Sequence, residues 1–171
     1  IAFSRVYIND LRGGGTRIKF NPEGAHIDVL PSKGGEPKRI PVPQWLATNG
    51  DTRLQLSLSP DGKLVAFDSG EQVYIASVET GDIRQVTKEG GVSPCFSPDG
   101  IKIAYLKPAG MLDNPPSRLA EVWIVSSNGD DPFKVSGDVN RNLMPSGPTW
   151  SPNGKMIAFC RIDLGEKVSS K

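Results

Sequence analysis

The chain has 171 residues, with 20 Lys+Arg against 19 Asp+Glu, one His and two Cys. That length suits one domain with a real core, and a formal net charge of +1 without a charged tail gives no basis for broad attraction to nucleic acid or an anionic membrane. Nineteen Gly and 15 Pro, about a fifth of the chain, imply many turns and leave no uninterrupted helical-period stretch above about ten residues.

In chain order, Ile1-Ala2-Phe3 reads as a strand. A long link over residues 5–25 follows, in which Arg12 and Arg17 flank Gly13-Gly14-Gly15. The triple Gly is read as a flexible hairpin tip, because no G-x-x-x-x-G-K-[ST] occurs and no helix opens there. Ile27-Asp28-Val29-Leu30 is the next strand, with His26 as the strand-end residue before it. A turn at Lys33-Gly34-Gly35-Glu36 leads to a short strand ending Ile40-Pro41, and a link over 42–53 carries Trp45. Leu58 then precedes the turn Ser59-Pro60-Asp61-Gly62, the strand Leu64-Val65-Ala66-Phe67 and a minimal link at Asp68–Glu71. Next come Val73-Tyr74-Ile75-Ala76, the turn Glu79-Thr80-Gly81-Asp82 and a short strand ending Val86-Thr87. After the short link Lys88-Glu89-Gly90-Gly91 the pattern restarts with Phe96, Ser97-Pro98-Asp99-Gly100 and Ile103-Ala104-Tyr105. A long Pro-rich loop over 107–121 holds Met111 and Arg118 and leads into Val122-Trp123-Ile124-Val125, the turn Ser127-Asn128-Gly129-Asp130 and Val135-Ser136. The link 137–147 carries Arg141, Leu143 and Met144, and then Trp150, Ser151-Pro152-Asn153-Gly154 and Ile157-Ala158-Phe159 begin a further copy.

The unit that recurs is four short strands joined by turns, with copies 38 and 54 residues apart (Ser59 to Ser97, Ser97 to Ser151). Four antiparallel strands per roughly 40–45 residues is the spacing of a propeller blade. The fold expected is therefore all-β, part of a β-propeller, in one domain whose repeats span about 1–53, 54–92, 93–147 and an incomplete 148–171. Roughly 13 strands make just over three blades, fewer than the about four needed to close a ring. The chain is expected either to be a piece of a longer one, with a segment upstream of Ile1, or to have its ends completed by another copy.

The copies Pro94-Cys95-Phe96-Ser97-Pro98-Asp99-Gly100 and Pro148-Thr149-Trp150-Ser151-Pro152-Asn153-Gly154 resemble the WD-like repeat of the TolB-type propeller family. The resemblance covers residues 54–171 well and 1–53 through Ile1-Ala2-Phe3 and 27–41. It implies a radial array of blades. It also implies a periplasmic or extracellular setting, although no signal peptide is visible. It is poor for function, because such blades occur in periplasmic scaffolds, in gating domains of serine peptidases and in some lyases.

Within the turn, Pro presets φ, Asp bonds neighbouring backbone N–H groups and Gly accepts positive φ. Asp61 and Asp99 are accordingly turn residues rather than metal ligands or catalytic acids, and Asn153 in the third copy agrees with that. Innermost strand A and strand B are joined by this turn, so the A–B and C–D turns share one end of each blade. The B–C and D–A links share the other, and all the insertions collect there. Loops on a rigid scaffold are where binding residues sit. Arg12, Arg17, Trp45, Met111, Arg118, Arg141 and Met144 are therefore the candidate partner-binding residues, Trp, Arg and Met being enriched at interfaces. For Trp45 and Leu143 the alternative is that they pin their loops to the blades. Phe67, Tyr105 and Phe159 are equivalent and expected in matching core layers; Trp123 and Trp150, on strands, are expected in the core, as are Cys95 and Cys160, small residues with no disulfide between them.

No catalytic residue, metal site or cofactor is expected: there is no G-x-S-x-G elbow, the acidic pair Asp130-Asp131 lacks calcium-loop spacing, and too few Cys and His exist for zinc. No apolar run approaches 18 residues, so no spanning helix is expected. The first reading is a non-catalytic scaffold that binds a protein or peptide through its insertion-bearing face. Alternatives are the propeller accessory domain of a larger enzyme such as a serine peptidase, and a self-assembling structural protein, a possible homo-oligomer.

Overall fold

The computed structural model describes residues 2–5, 26–43, 46, 55–113, 116–137, 142–143, 147–160 and 162–163. All fifteen regular elements among them are β-strands. Strands β1 (Ala2–Arg5), β2 (His26–Val29) and β3 (Lys38–Pro41) form an antiparallel three-stranded sheet, blade one. Strands β4 (Leu56–Leu58), β5 (Leu64–Ser69), β6 (Gln72–Ser77) and β7 (Ile83–Gln85) form a complete four-stranded meander, blade two. Blade three consists of β8 (Val92–Phe96), β9 (Lys102–Asp113), β10 (Pro116–Ser126) and β11 (Phe133–Lys134). Two more strands, β12 (Asn142–Leu143) and β15 (Ile162–Asp163), extend its sheet, while β13 (Thr149–Trp150) pairs with β14 (Ile157–Ala158) in blade four. The chain is thus all-β and part of a β-propeller.

The repeated turn closes each A–B hairpin in the same way. Ser59 Oγ donates to Asp61 Oδ1 at 2.7 Å and accepts from the Leu64 N–H at 2.9 Å, and Asp61 Oδ1 also accepts from the Lys63 N–H at 3.1 Å. Ser97 and Asp99 repeat this network at 2.6, 2.9 and 3.0 Å, and Ser151 and Asn153 repeat it at 2.8, 2.9 and 3.1 Å. The amide oxygen of Asn153 does what the carboxylates do. Gly62, Gly100 and Gly154 hold φ near +70° (71, 74 and 69°), the left-handed geometry that ends the turn and favours Gly.

Each central strand is buried on both faces, so it reads as an unbroken apolar run rather than an alternation. Alternate residues feed two cores. Val65, Phe67, Tyr74 and Ala76 face blade one and pack with Ile27, Val29, Ile40, Val42 and Leu46. Ala66, Val73 and Ile75 face blade three and pack with Phe96, Ile103, Tyr105 and Val125. A third cluster of Leu106, Ala120 and Val122, with Ile157 against it, joins blades three and four. The last residue of the repeat ties strand D to strand C: Thr87 Oγ1 accepts from the Val73 N–H at 2.9 Å, and Ser136 Oγ from the Val122 N–H at 3.1 Å.

Four expectations are corrected. Phe159 is 36% exposed although its counterparts Phe67 and Tyr105 are buried. Phe67 stacks on Tyr74 of strand C with ring centroids 5.7 Å apart, and Tyr105 lies opposite Trp123, whereas the described part of blade four has only strands A and B. Trp150 and Trp123 are half-buried, each with its indole N–H bonded, to the Cys95 carbonyl at 3.1 Å and to Glu121 at 2.8 Å. Cys95 is half-buried and Cys160 exposed, and both thiols are free. Finally, residues 107–121 are no irregular loop: β9 and β10 run on as a paired ribbon, with one register shift between Leu119 and Ala120. Pairing gives the backbone N–H and C=O groups of this insertion their partners.

Candidate binding face and an inter-blade cleft

The two ends of the blades differ. At one end, the turns knit together: the Val78 N–H donates to the Lys63 carbonyl at 2.9 Å and the Ser127 N–H to the Ile101 carbonyl at 2.7 Å, joining C–D to A–B turns. The Pro of each A–B turn abuts the Gly of the next, Pro60 Cδ lying 3.5 Å from a Cβ built on Gly100 and Pro98 Cδ 3.7 Å from one built on Gly154. At the opposite end the insertions gather. The β9–β10 ribbon is paired out to Asp113↔Pro116, β12 pairs with β10 at Leu119↔Leu143, and β15 pairs with β12 at Asn142↔Asp163 and Leu143↔Ile162. The ribbon, the link between blades three and four, and the end of blade four's strand B are therefore one continuous sheet across two blades.

Of the sequence-selected residues, Met111 and Arg118 face each other as register partners on the ribbon. Arg12, Arg17, Trp45, Arg141 and Met144 lie outside the described residues. Leu46, beside Trp45, is buried between blades one and two, and its carbonyl accepts from the Ser69 hydroxyl at 2.5 Å. Asp68 fixes the same end: its carboxylate, buried, accepts from the Gln55 N–H at 2.9 Å and the Ser93 N–H at 2.7 Å, the starts of two successive A strands.

His26 is buried with Nε2 3.4 Å from Asp28 Oδ2, and Asp28 Oδ1 accepts from Arg39 Nε at 3.0 Å. These three side chains stand on strands β2 and β3 of blade one. Among the described residues no group of three or more His, Cys, Asp and Glu could hold a metal ion.

Sequence reasoning missed a cleft of about 280 Å³ between blades two and three. Val86, Thr87, Tyr105 and Val125 form its buried floor, and Trp123 and Lys107 its wall. Lys88 and Glu89 make one rim and Asp130, Asp131 and Pro132 the other. Lys107 Nζ lies 4.4 Å from the Trp123 ring centroid and 2.7 Å from Glu89 Oε2. The hydrogen bond from Lys107, then its charge, lowers the Glu89 carboxyl below its usual range. Burial, and secondarily Glu89, pushes the Tyr105 hydroxyl up to about 12, so it stays a neutral donor. Gly129 closes the bottom, where a Cβ would stand 3.1 Å from the Val86 carbonyl oxygen. The signal was present in the sequence: Val42-Pro43 and Lys88-Glu89 occupy the same step of the repeat, one apolar and one charged.

No family model matches the chain. The Tol-Pal system protein TolB of Francisella tularensis is 26% identical over 121 residues, which are 67% of this chain and 26% of that protein. Dipeptidyl-peptidase 5 of Aspergillus fumigatus is 25% identical over 187 residues, which are 95% of this chain and 24% of that one. The chain thus spans about a quarter of the length of these relatives. Among solved structures, a TolB-type protein from Agrobacterium tumefaciens matches 81% of the chain with a TM-score of 0.58 at 20% identity, over 46% of its own length. The tricorn protease matches 91% with a TM-score of 0.56 at 15% identity, over 15% of its own length. These likenesses carry the fold.

Proposed function

With TolB-type β-propeller blades as the premise, we propose that this chain is a non-catalytic scaffold segment that holds a protein or peptide against its insertion-bearing end. The observation that carries the reading is the sheet β9–β10–β12–β15, which spans blades three and four at that end while the opposite end keeps uniform tight turns. A sheet with paired backbone is a rigid platform on which Met111, Arg118 and the neighbouring Arg141 and Met144 form contacts at low entropic cost. Arg12, Arg17 and Trp45 contribute from the links of blade one. The setting that goes with this reading is the periplasm or the cell exterior.

Site-specific photo-crosslinking tests it. A photoreactive residue at Met111 is expected to capture a protein partner from cells producing this chain, and one at Asn153, in a tight turn, is not. Capture from Asn153 alone would overturn the assignment of the binding end.

The match to a dipeptidyl-peptidase over 95% of the chain favours a second reading, the accessory propeller of a larger hydrolase. The complete reading frame separates the two: a G-x-S-x-G elbow followed by an acidic residue and a His supports the hydrolase.

A further inference from the structure

The three blade junctions share one plan, so each position has a counterpart that shows what normally fills it. At the junction of blades one and two, Ile40 is followed by Val42 and Leu46, and both are buried against Phe67 and Tyr74. At the junction of blades two and three, Val86 takes the place of Ile40, Tyr105 that of Phe67 and Trp123 that of Tyr74. The link itself differs. Lys88 and Glu89 replace Val42 and Pro43, and both are exposed. The link then crosses the blade as Gly91, where a Cβ would lie 3.0 Å from the Tyr105 ring. Nothing in this link corresponds to Leu46. The cleft of about 280 Å³ is bordered by Lys88 and Glu89, which stand at the repeat positions of Val42 and Pro43 one junction earlier.

We propose that this cleft is a docking site for an aliphatic side chain carried by a basic segment of a protein partner. Its volume lies below the roughly 300–1,000 Å³ of small-molecule sites, and it suits one or two side chains rather than a cofactor. Val86, Tyr105 and Val125 of its floor and the Trp123 ring of its wall are apolar or aromatic, beside the Lys107 ammonium and the Thr87 hydroxyl, and the apolar floor favours an aliphatic group. Its lower rim sets the sign of the flanking charge. Asp130 and Asp131 are exposed there, with Asp131 at φ +52°; of the cations around the cleft, Lys107 is paired with Glu89 across the wall, Arg84 is bonded to the Ser127 carbonyl and Lys88 stands on the opposite rim. A cationic segment therefore gains at the lower rim, and an anionic one is repelled. This site takes Lys107 and Trp123 from the base of β9 and β10 but none of the ribbon residues assigned to the binding end, so a Trp123 variant tests it separately from a Met111 or Arg118 variant.

The test uses the full chain and a fluorescently labelled synthetic peptide with the order lysine, valine, proline, glutamine, alanine, leucine, lysine, followed by anisotropy. The filled junction supplies this order of apolar groups. Saturable binding is expected, weakened at least tenfold when valine and leucine of the peptide become serine. It is expected to weaken three- to tenfold when the lysines become glutamate, when salt rises from 50 to 500 mM, or in the Asp130→Asn/Asp131→Asn double variant, whose changes lie on an exposed turn and spare the core. Trp123→Ala is expected to weaken it at least tenfold. Lys88→Leu, which offers the cleft a side chain of its own, is expected to weaken peptide binding while raising the Tm. Absence of saturation at 1 mM peptide overturns the proposal. So does equal binding of the serine or glutamate peptides, or undiminished binding by Lys88→Leu or by the Asp130/Asp131 double variant.

Discussion

Two junctions built from the same repeat differ most in one link. Between blades one and two, the segment Pro41–Leu46 sends Val42 and Leu46 into the core, and Phe67 is buried completely. Between blades two and three, a short charged link passes over Tyr105, and Trp123 remains half-exposed with a lysine on its face. Alternate residues face the neighbour on each side at both junctions, whereas the Thr87 hydroxyl that ties strand D to strand C in blade two has Pro41 as its counterpart in blade one. The D–A link differs most, beside Phe67 against Tyr105, Tyr74 against Trp123 and Gly81-Asp82 against Gly129-Asp130-Asp131-Pro132, and it decides whether apolar side chains of the link enter the wedge between the two sheets.

The largest expected effect comes from removing a side chain where the wedge is filled. Phe67→Ala is expected to cost about 3–5 kcal/mol in urea denaturation, since the ring is fully buried and stacked on Tyr74. Leu46→Ala, in the same core, should cost about 2–4 kcal/mol. Trp123→Ala at the open junction should cost less than Phe67→Ala, below about 3 kcal/mol, because the indole is only partly buried and lines an open cleft, so truncation leaves no sealed cavity. Equal losses for Phe67→Ala and Trp123→Ala would mean that the second junction is as closed as the first. Trp150→Ala extends the series to blade four. Its half-buried ring and single bond to the Cys95 carbonyl give an expected cost of about 1–2 kcal/mol.

The strands of the repeat could be read directly because turn chemistry and apolar runs coincide in three copies. Ser59, Ser97 and Ser151 each start the same network, and the strands that follow fall where the runs of Leu64, Ile103 and Ile157 indicate. The ribbon was less legible. Pro108 and Gly110 read as loop signals, yet antiparallel pairing accommodates them beside a register shift. Burial of Phe159 was misjudged because equivalence in the repeat does not guarantee an equivalent neighbour; its counterparts are covered by strand C. The cleft was missed because Trp123, read alone, looks like core. Only comparison of Lys88 with Val42 shows that its expected cover is absent from the link. Of the candidate binding residues, Met111 and Arg118 are related by strand register, a relation that composition cannot supply.

The smallest effect belongs to the turns, which are alike at both junctions and so serve as the control. In Asp61 and Asp99 the carboxyl is held below the usual value of 3.8, first by the Ser59 or Ser97 hydroxyl and then by the backbone N–H of Lys63 or Ile101. A folded-state pKa below the unfolded one means stability that is complete above the unfolded value and is lost as pH falls through the folded one. Asn153 makes the same contacts at 2.8 and 3.1 Å without titrating. Asp99→Asn should therefore leave the urea midpoint at pH 7 nearly unchanged, and it should lose less stability than the parent between pH 4 and pH 2. Asp99→Ala should lose about 1 kcal/mol at pH 7, because the Ile101 N–H and Ser97 hydroxyl lose their acceptor. If Asp99→Asn matched Asp99→Ala at pH 7, the charge rather than the hydrogen-bond geometry would be holding the turn. The unaltered Asn153 copy would then be the weakest of the three hairpins, and amide exchange at Lys155 and Met156 would run ahead of exchange at Lys63 and Leu64.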